Sequence, residues 1–306
     1  MKTKDLLTLE EFQKGDIEAL FQEADALRKE RSAKPLAGKT LGLIFQKPSM
    51  RTRVSFEVGM FQLGGHAITL GIDDIQLGVR EATKDIAAVL SRYLDGIVAR
   101  TFGHEEVELL AKHATVPVIN GLSDLHHPCQ GLSDLYTIWK KKGTLKDVRF
   151  AYVGDGNNVL HSLLLGAGFV GMHCFVATPK GYEPKAQIVA KAKKLGGSSG
   201  SEIQLSNDPA KAVQGADVIY TDVWTSMGQE KEKAQRTKVF QSFQINKALM
   251  DKAKKGALFM HCLPAHRGEE VTEEVLDGPQ SIVFDQAENR LHVQKALLVR
   301  LLRNSR

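Results

Sequence analysis

Apolar positions along the chain fall into short runs that alternate with stretches of helical period. After Asp16, the residues Ile17, Leu20, Phe21, Ala24 and Leu27 recur at three- and four-residue spacing, which predicts an amphipathic helix. Just upstream, Thr8 and Glu11 have the spacing of a capping box. Runs of strand length follow at 41–45, 67–70, 96–99 and 116–119, separated by helical patterns at 52–63, 83–94 and 105–113. The alternation pauses at 134–142, a helical stretch ended by Gly143. It resumes with apolar runs at 148–153, 172–177, 203–205, 218–220, 258–260 and 282–284. A last helix is expected over 288–303, with Leu291, Leu298, Leu301 and Leu302 on one side.

Strands alternating with helices predict βαβ units, and hence parallel sheets. The expectation is an α/β protein of two doubly wound parallel-sheet domains of similar size, linked by helices. A chain of 306 residues suits that number of domains. The division is expected at 1–135 and 136–306, with a final helix, about 287–306, packing back on the first domain. In such sheets ligands sit beyond the carboxyl ends of the strands, so the strand-to-helix turns are the places to inspect.

Composition narrows the class. Apolar residues make up 42% and charged residues 25%, too apolar for a disordered chain. No apolar run approaches the roughly 18 residues of a membrane span, and the opening MKTKDLLTLEEF lacks the apolar segment of a signal peptide. Three cysteines, Cys129, Cys174 and Cys262, are an odd number at wide spacing, which suits a reducing compartment. A cytoplasmic protein is expected. The net charge of +5 is spread along the chain, and arginines gathered on an anionic metabolite account for it without nucleic acid.

Four turns carry candidate chemistry. The first, Gln46-Lys47-Pro48-Ser49-Met50-Arg51-Thr52-Arg53, opens a helix after a strand. Free backbone N–H groups, the helix dipole, two hydroxyls and two guanidiniums there favour a phosphate dianion. It lacks the Gly-x4-Gly-Lys of a P-loop. The second, Asp124-Leu125-His126-His127-Pro128-Cys129-Gln130, pairs histidines with a cysteine. No second Cys/His pair follows at zinc-finger spacing. A histidine and an amide on one loop can instead donate hydrogen bonds to a polarised carbonyl.

The third turn, Gly154-Asp155-Gly156-Asn157-Asn158-Val159, begins like a dinucleotide fingerprint but has Val159 where the third glycine belongs. The next strand ends Ala177-Thr178-Pro179, without the acid that holds a ribose, so a dehydrogenase is the third choice. The fourth group joins Asp222-Val223-Trp224-Thr225-Ser226-Met227-Gly228 with His261-Cys262-Leu263-Pro264-Ala265-His266-Arg267-Gly268. An acid with a soft thiol nearby can orient an amine. His261 is a poor geometric partner for a Cys262 nucleophile, because adjacent strand residues point opposite ways.

In this order the four motifs closely resemble those of ornithine carbamoyltransferases, from the N-terminal helices to the last helix. The first two are shared in kind with aspartate carbamoyltransferases, and the Ser-Met-Gly and His-Cys-Leu-Pro motifs select the ornithine branch. The resemblance implies that Ser49, Met50 through its backbone, Arg51 and Thr52 hold the phosphate of carbamoyl phosphate. Arg100, His127 and Gln130 would contact the carbamoyl end, with Arg290 also reaching this ligand. Gln76 matches a residue lent to a neighbouring subunit, which implies a homotrimer with shared sites. Asn158, Asp222, Ser226 and Met227 would bind L-ornithine, with Cys262 and Leu263 lining the side-chain end.

Arg51, Arg100, His127 and Cys262 are the catalytic candidates, and no metal or organic cofactor is implied. Met50 departs from the family's usual Ser-Thr-Arg-Thr, removing a hydroxyl but keeping the N–H. Carbamoyl transfer to another amine, and a phosphometabolite-binding module without turnover, are the alternatives.

Overall fold

The computed structural model describes residues 4–303, apart from 14, 31, 73, 76 and 227. Two compact units divide the chain: one runs to Tyr136 and resumes from Glu288, and the other is Thr137–Ala287.

The first unit contains α1 (Asp16–Lys29), β1 (Thr40–Phe45), α2 (Met50–Gln62), β2 (His66–Leu70), α3 (Thr83–Tyr93), β3 (Gly96–Arg100), α4 (His104–His113) and β4 (Val118–Leu122). α5 (Pro128–Lys142) begins in this unit and continues into the second. The strands form one parallel sheet in the order β2-β1-β3-β4. β3 is buried along its whole length, which is why it reads as an unbroken apolar run rather than an alternation. Ile44, Ile86, Ala87, Ile97, Val107, Leu110 and Val118 form the core between this sheet and its helices.

The second unit contains β5 (Arg149–Val153), α6 (Asn158–Val170), β6 (His173–Ala177), α7 (Ala186–Ser199), β7 (Ile203–Ser206), α8 (Pro209–Val213), β8 (Val218–Thr221), α9 (Lys233–Phe240), α10 (Lys247–Met250), β9 (Leu258–His261) and α11 (Glu273–Leu276). Its parallel sheet has the order β7-β6-β5-β8-β9. α12 (Val283–Leu302) starts here and returns to the first unit. There it packs on α1 through Arg300–Glu23 at 2.6 Å, and on α2 through Gln294–Ser55 at 2.9 Å.

Three sequence expectations are corrected. The apolar run at 282–284 is not a strand: Val283 and Phe284 are the first two residues of α12, and only Ser281 bridges to Phe259. A three-residue apolar run cannot distinguish a strand from a helix start by its period. The helix expected at 134–142 begins at Pro128, so His127 immediately precedes a helix with proline at its first position. Thr8 and Glu11 make only half of a capping box: the Thr8 N–H and hydroxyl donate to the Glu11 carboxylate, but Thr8 Oγ1 accepts from the Glu10 N–H, the chain there stays in a turn, and α1 begins at Asp16.

Each strand order reverses once. In the first sheet the chain leaves β1 for β2, then returns to β3 on the other side of β1. In the second, β5 is flanked by β6 and, after the return, by β8. A crevice opens at the carboxyl ends where the crossovers diverge. These points fall after Phe45 and Arg100 in one unit, and after Val153 and Thr221 in the other.

Candidate active site

At the first switch point, the turn after β1 leads into α2. Ser49 is the helix N-cap, with extended backbone (φ −161°), and its Oγ accepts from the Thr52 N–H at 3.3 Å. Met50 is the first helical residue, and its side chain is 69% exposed. What Met50 offers to a ligand here is its N–H, one of the helix's unsatisfied donors. Thr52 is fully buried, and its Oγ1 accepts from Arg290 Nη2 at 3.0 Å.

Arg290 arrives from α12, 238 residues away in sequence. Its Nε donates to Gln294 Oε1 at 3.3 Å, and Gln294 exchanges hydrogen bonds with Ser55 on α2. The guanidinium is thus held from two sides. Arg100 ends β3 opposite Phe45, where the β3–β4 pairing is irregular. It is buried, and its Nε has no hydrogen-bond partner among the described residues. Burial, followed by repulsion from Arg290 and Arg51, pulls its pKa down to about 10. A guanidinium made this uncomfortable is a group prepared for an anion.

His127 lies in the same field. It is buried, and burial together with Arg290, Arg100 and Arg51 holds its pKa well below the usual histidine range. The ring is therefore neutral near pH 7, and a neutral imidazole still donates one hydrogen bond. Gln130, on the first turn of α5, donates from Nε2 to Asp134 Oδ1 at 2.8 Å, which fixes the direction of its amide. Cys129 is fully buried, and burial pushes its thiol up to about 12, so it is inert core.

At the second switch point, the loop after β5 meets Asp222 after β8. Asn157 is the N-cap of α6: its Oδ1 accepts from the N–H groups of Val159 and Leu160, and its Nδ2 donates to Asp222 Oδ2 at 2.6 Å. Asp222 Oδ1 accepts from the Val223 N–H at 2.8 Å and from the Cys262 thiol at 2.9 Å. Both carboxylate oxygens are thus directed by donors, and Asp222 is buried. Asn158 is the first residue of α6, half-buried. Ser226 lies half-buried in the loop after β8, where its N–H donates to Gln229 Oε1 at 3.1 Å.

His261 is not a partner for the Cys262 thiol. Its Nδ1 accepts from the Leu263 N–H at 2.8 Å, so the proton resides on Nε2, which faces Glu270 Oε1 at 3.1 Å. Both side chains are fully buried. They fix a turn in which Leu263 adopts φ +59°, a conformation that needs such support, and Leu263 packs partly against the unit's core.

Sequence reasoning missed two features. Asn157, the N-cap of α6, donates to Asp222, and capping geometry is the signal that could have found it. Arg236 on α9 is buried, ion-paired to Asp155 at 2.6 Å, and donates from Nε to the Trp224 carbonyl at 2.6 Å. It ties the loop after β5 to the loop carrying Ser226. Its distance in sequence from either loop motif left no signal.

The glycines that suggested a dinucleotide have another cause. The Gly156 N–H donates to the Tyr182 carbonyl at 2.9 Å, and a Cβ there would come within 2.3 Å of Pro184 N. Gly156 serves a close backbone approach, not an open phosphate cradle. The expectations for Gln76 and Met227 fall outside the described residues.

Comparison with known proteins converges on one family. The carbamoyl-P binding domain of aspartate/ornithine carbamoyltransferases matches residues 4–140, and the Asp/Orn binding domain of the same family matches residues 146–301. The ornithine carbamoyltransferase of Anoxybacillus flavithermus is 57% identical over 306 residues, covering 99% of this chain and 98% of its own. Among solved structures, ornithine carbamoyltransferase from Pyrococcus furiosus superposes with a TM-score of 0.96 at 54% identity, over 99% of this chain and 98% of that one. The anabolic ornithine carbamoyltransferase of Campylobacter jejuni gives 0.94 at 41% identity, over 98% and 99%.

Proposed function

The chain belongs to the aspartate/ornithine carbamoyltransferase family and has ornithine carbamoyltransferase activity, and from that premise we propose how its residues divide the work. The reaction moves the carbamoyl group of carbamoyl phosphate to the δ-amine of L-ornithine, giving L-citrulline and phosphate.

The observation that carries the assignment is the set of three guanidiniums, Arg51, Arg100 and Arg290, acting on one buried neutral imidazole, His127. The N-terminus of α2, with the Ser49 and Thr52 hydroxyls and the Met50 N–H, takes the phosphate, and Arg51 and Arg290 neutralise its charge. Arg100, His127 and Gln130 serve the carbamoyl end. As the amine attacks, negative charge grows on the carbonyl oxygen and the leaving phosphate, and preorganised donors stabilise it.

The ornithine amine has a pKa near that of lysine, roughly 10.4, so it must be delivered unprotonated. Asp222, already directed by Asn157 and Cys262, orients ornithine together with Asn158, Ser226, Met227 and Leu263. Cys262 acts as an orienting thiol, not a covalent nucleophile, since direct attack needs only aligned substrates. A citrulline assay with carbamoyl phosphate and a panel of amines tests the acceptor. Turnover with ornithine that falls about 10²–10³-fold in Arg100→Ala is expected; a near-normal rate in that variant removes the assignment.

The working form is a homotrimer in which Gln76 serves a neighbouring chain's site. An exposed apolar stripe on α2 supports it: Val54, Val58 and Phe61 share one helix face, and Phe61 is 77% exposed. Exposed Ile68 lies on β2, an edge strand of the same unit. Sedimentation equilibrium giving a single-chain mass at working concentration removes this reading. A cytoplasmic location fits the three free cysteines. No described helix is long and apolar enough to cross a membrane.

A further inference from the structure

The loop between β9 and α11 gathers metal-ligating side chains that the carbamoyl transfer does not use. His266 Nδ1 faces Glu270 Oε2 at 3.7 Å and Glu269 Oε2 at 3.9 Å. One donor atom from each of the three residues lies within 4.8 Å of the others. Four ligands in a tetrahedron with bonds of about 2.1 Å have neighbours about 3.4 Å apart. The two spacings from His266 are therefore a few tenths of an ångström wider than in a zinc shell, the two carboxylates lie within 4.8 Å of each other, and the exposed His266 and half-buried Glu269 can close the trio by rotation.

The two carboxylates are arranged alike. Glu270 Oε1 is occupied by His261 Nε2 at 3.1 Å and by the His266 N–H at 2.6 Å. Glu269 Oε1 is occupied by Lys233 Nζ at 2.9 Å. In both, Oε2 is left to face the imidazole. Glu270 is fully buried, and its Oε2 has no hydrogen-bond partner among the described residues. A buried carboxylate oxygen in that condition is costly unless something positive meets it. The loop is braced as well: the Gln244 side chain donates to the Gly268 and Glu269 carbonyls at 2.9 and 2.8 Å. Ligands oriented by an outer set of hydrogen bonds are the usual construction of a zinc site.

We propose that His266, Glu269 and Glu270 form a binding site for a divalent ion of zinc type, with solvent as the remaining ligand. One imidazole and two carboxylates suit zinc and offset its charge. The ion takes no part in carbamoyl transfer. It ties down the loop that follows Cys262 and Leu263. A second trio, Asp222, His261 and Cys262, is as close together but already committed: both His261 nitrogens are hydrogen-bonded, and Asp222 is directed by Asn157.

Uptake of Co²⁺ and Zn²⁺ by the tag-free, full-length Cys262→Ala chain tests the site, because this background removes the thiolate of the second trio. One ion per chain is expected, with visible Co²⁺ bands and no thiolate charge-transfer band. Adding His266→Ala should abolish uptake, and adding Glu269→Gln should weaken it at least about tenfold. Circular dichroism and an unchanged kcat of His266→Ala and Glu269→Gln, made singly in the wild-type chain, show that those variants fold. No uptake by Cys262→Ala, or uptake that survives His266→Ala, overturns the proposal.

Discussion

Arg290 Nη2 donates to Thr52 Oγ1 at 3.0 Å, so the last helix supplies a guanidinium to the N-terminus of α2. The same guanidinium is held by Gln294, and it depresses the proton affinity of both Arg100 and His127. Arg290→Ala is expected to raise KM for carbamoyl phosphate and to lower kcat/KM by about 10²–10³-fold, the scale of losing one charged donor from a developing anion. Arg290→Lys should recover little, because an ammonium cannot reproduce the fork that reaches Thr52 and Gln294 together. Steady-state kinetics at fixed ornithine measures both. A change confined to thermal stability would give Arg290 a purely structural role.

Met50 offers a sharper test of which atom meets the phosphate. Its side chain is exposed, whereas its N–H belongs to the open end of α2. Met50→Thr, which restores the family's usual residue, should change KM for carbamoyl phosphate by less than about threefold, within the range of a surface substitution. Met50→Pro keeps the helix, since proline is well tolerated at the first helical position and the preceding Ser49 is already extended. It deletes the N–H. An increase in KM of about tenfold or more is expected, the scale of one hydrogen bond to a charged group. Equal KM values for the two variants would exclude a backbone contact.

The hydrophobic pattern disclosed both parallel sheets because their inner strands β1, β3, β5 and β8 are buried almost throughout, and such strands read as continuous runs. It failed at 282–284, where Val283 and Phe284 open α12 and Phe284 is exposed. Ser49, Arg51, Arg100, Asp222 and Cys262 were legible because each stands within or beside a strand-to-helix turn, where the fold concentrates chemistry. Arg236 and Glu270 were not. Each acts by holding another group, Trp224 and His261 respectively, and such contacts leave no local spacing to read. Arg290 became visible through family resemblance alone, since only α12 packing on α2 brings it to Thr52.

The Asp155–Arg236 pair makes a pH prediction. Burial, partly offset by Arg236, raises the Asp155 pKa from 3.8 to about 6. Between those values the unfolded chain has released this proton while the folded chain still holds it. Stability contributed by Asp155 is therefore full below pH 3.8 and is lost as pH rises through about 6. The difference is about 3 kcal/mol across the window. Urea unfolding between pH 3.5 and 7 should show this slope in the wild-type chain, and Asp155→Asn should flatten it. Near neutral pH, Arg236→Met leaves the buried carboxylate unpaired and should cost about 3–5 kcal/mol, with the Asp155→Asn/Arg236→Met pair costing less than the single change. Identical pH slopes in wild type and Asp155→Asn would assign the titration to other groups.

Cys262 tests whether the thiol orients or attacks. Its hydrogen is directed to Asp222 Oδ1 at 2.9 Å, and His261, the nearest base in sequence, is turned to Leu263 and Glu270. The thiol hydrogen goes to a carboxylate oxygen rather than to an imidazole, so the thiol serves as a donor that helps position Asp222. Cys262→Ser preserves that donor and should keep kcat within about tenfold of wild type. Cys262→Ala removes it and should raise KM for ornithine more than it lowers kcat, since one oxygen of Asp222 loses a directing partner. A covalent carbamoyl–thiol route predicts the reverse, with both variants falling to background and wild type exchanging label between carbamoyl phosphate and phosphate in the absence of ornithine. Measuring that exchange alongside the two variants decides between the roles: no exchange and an active serine variant are expected.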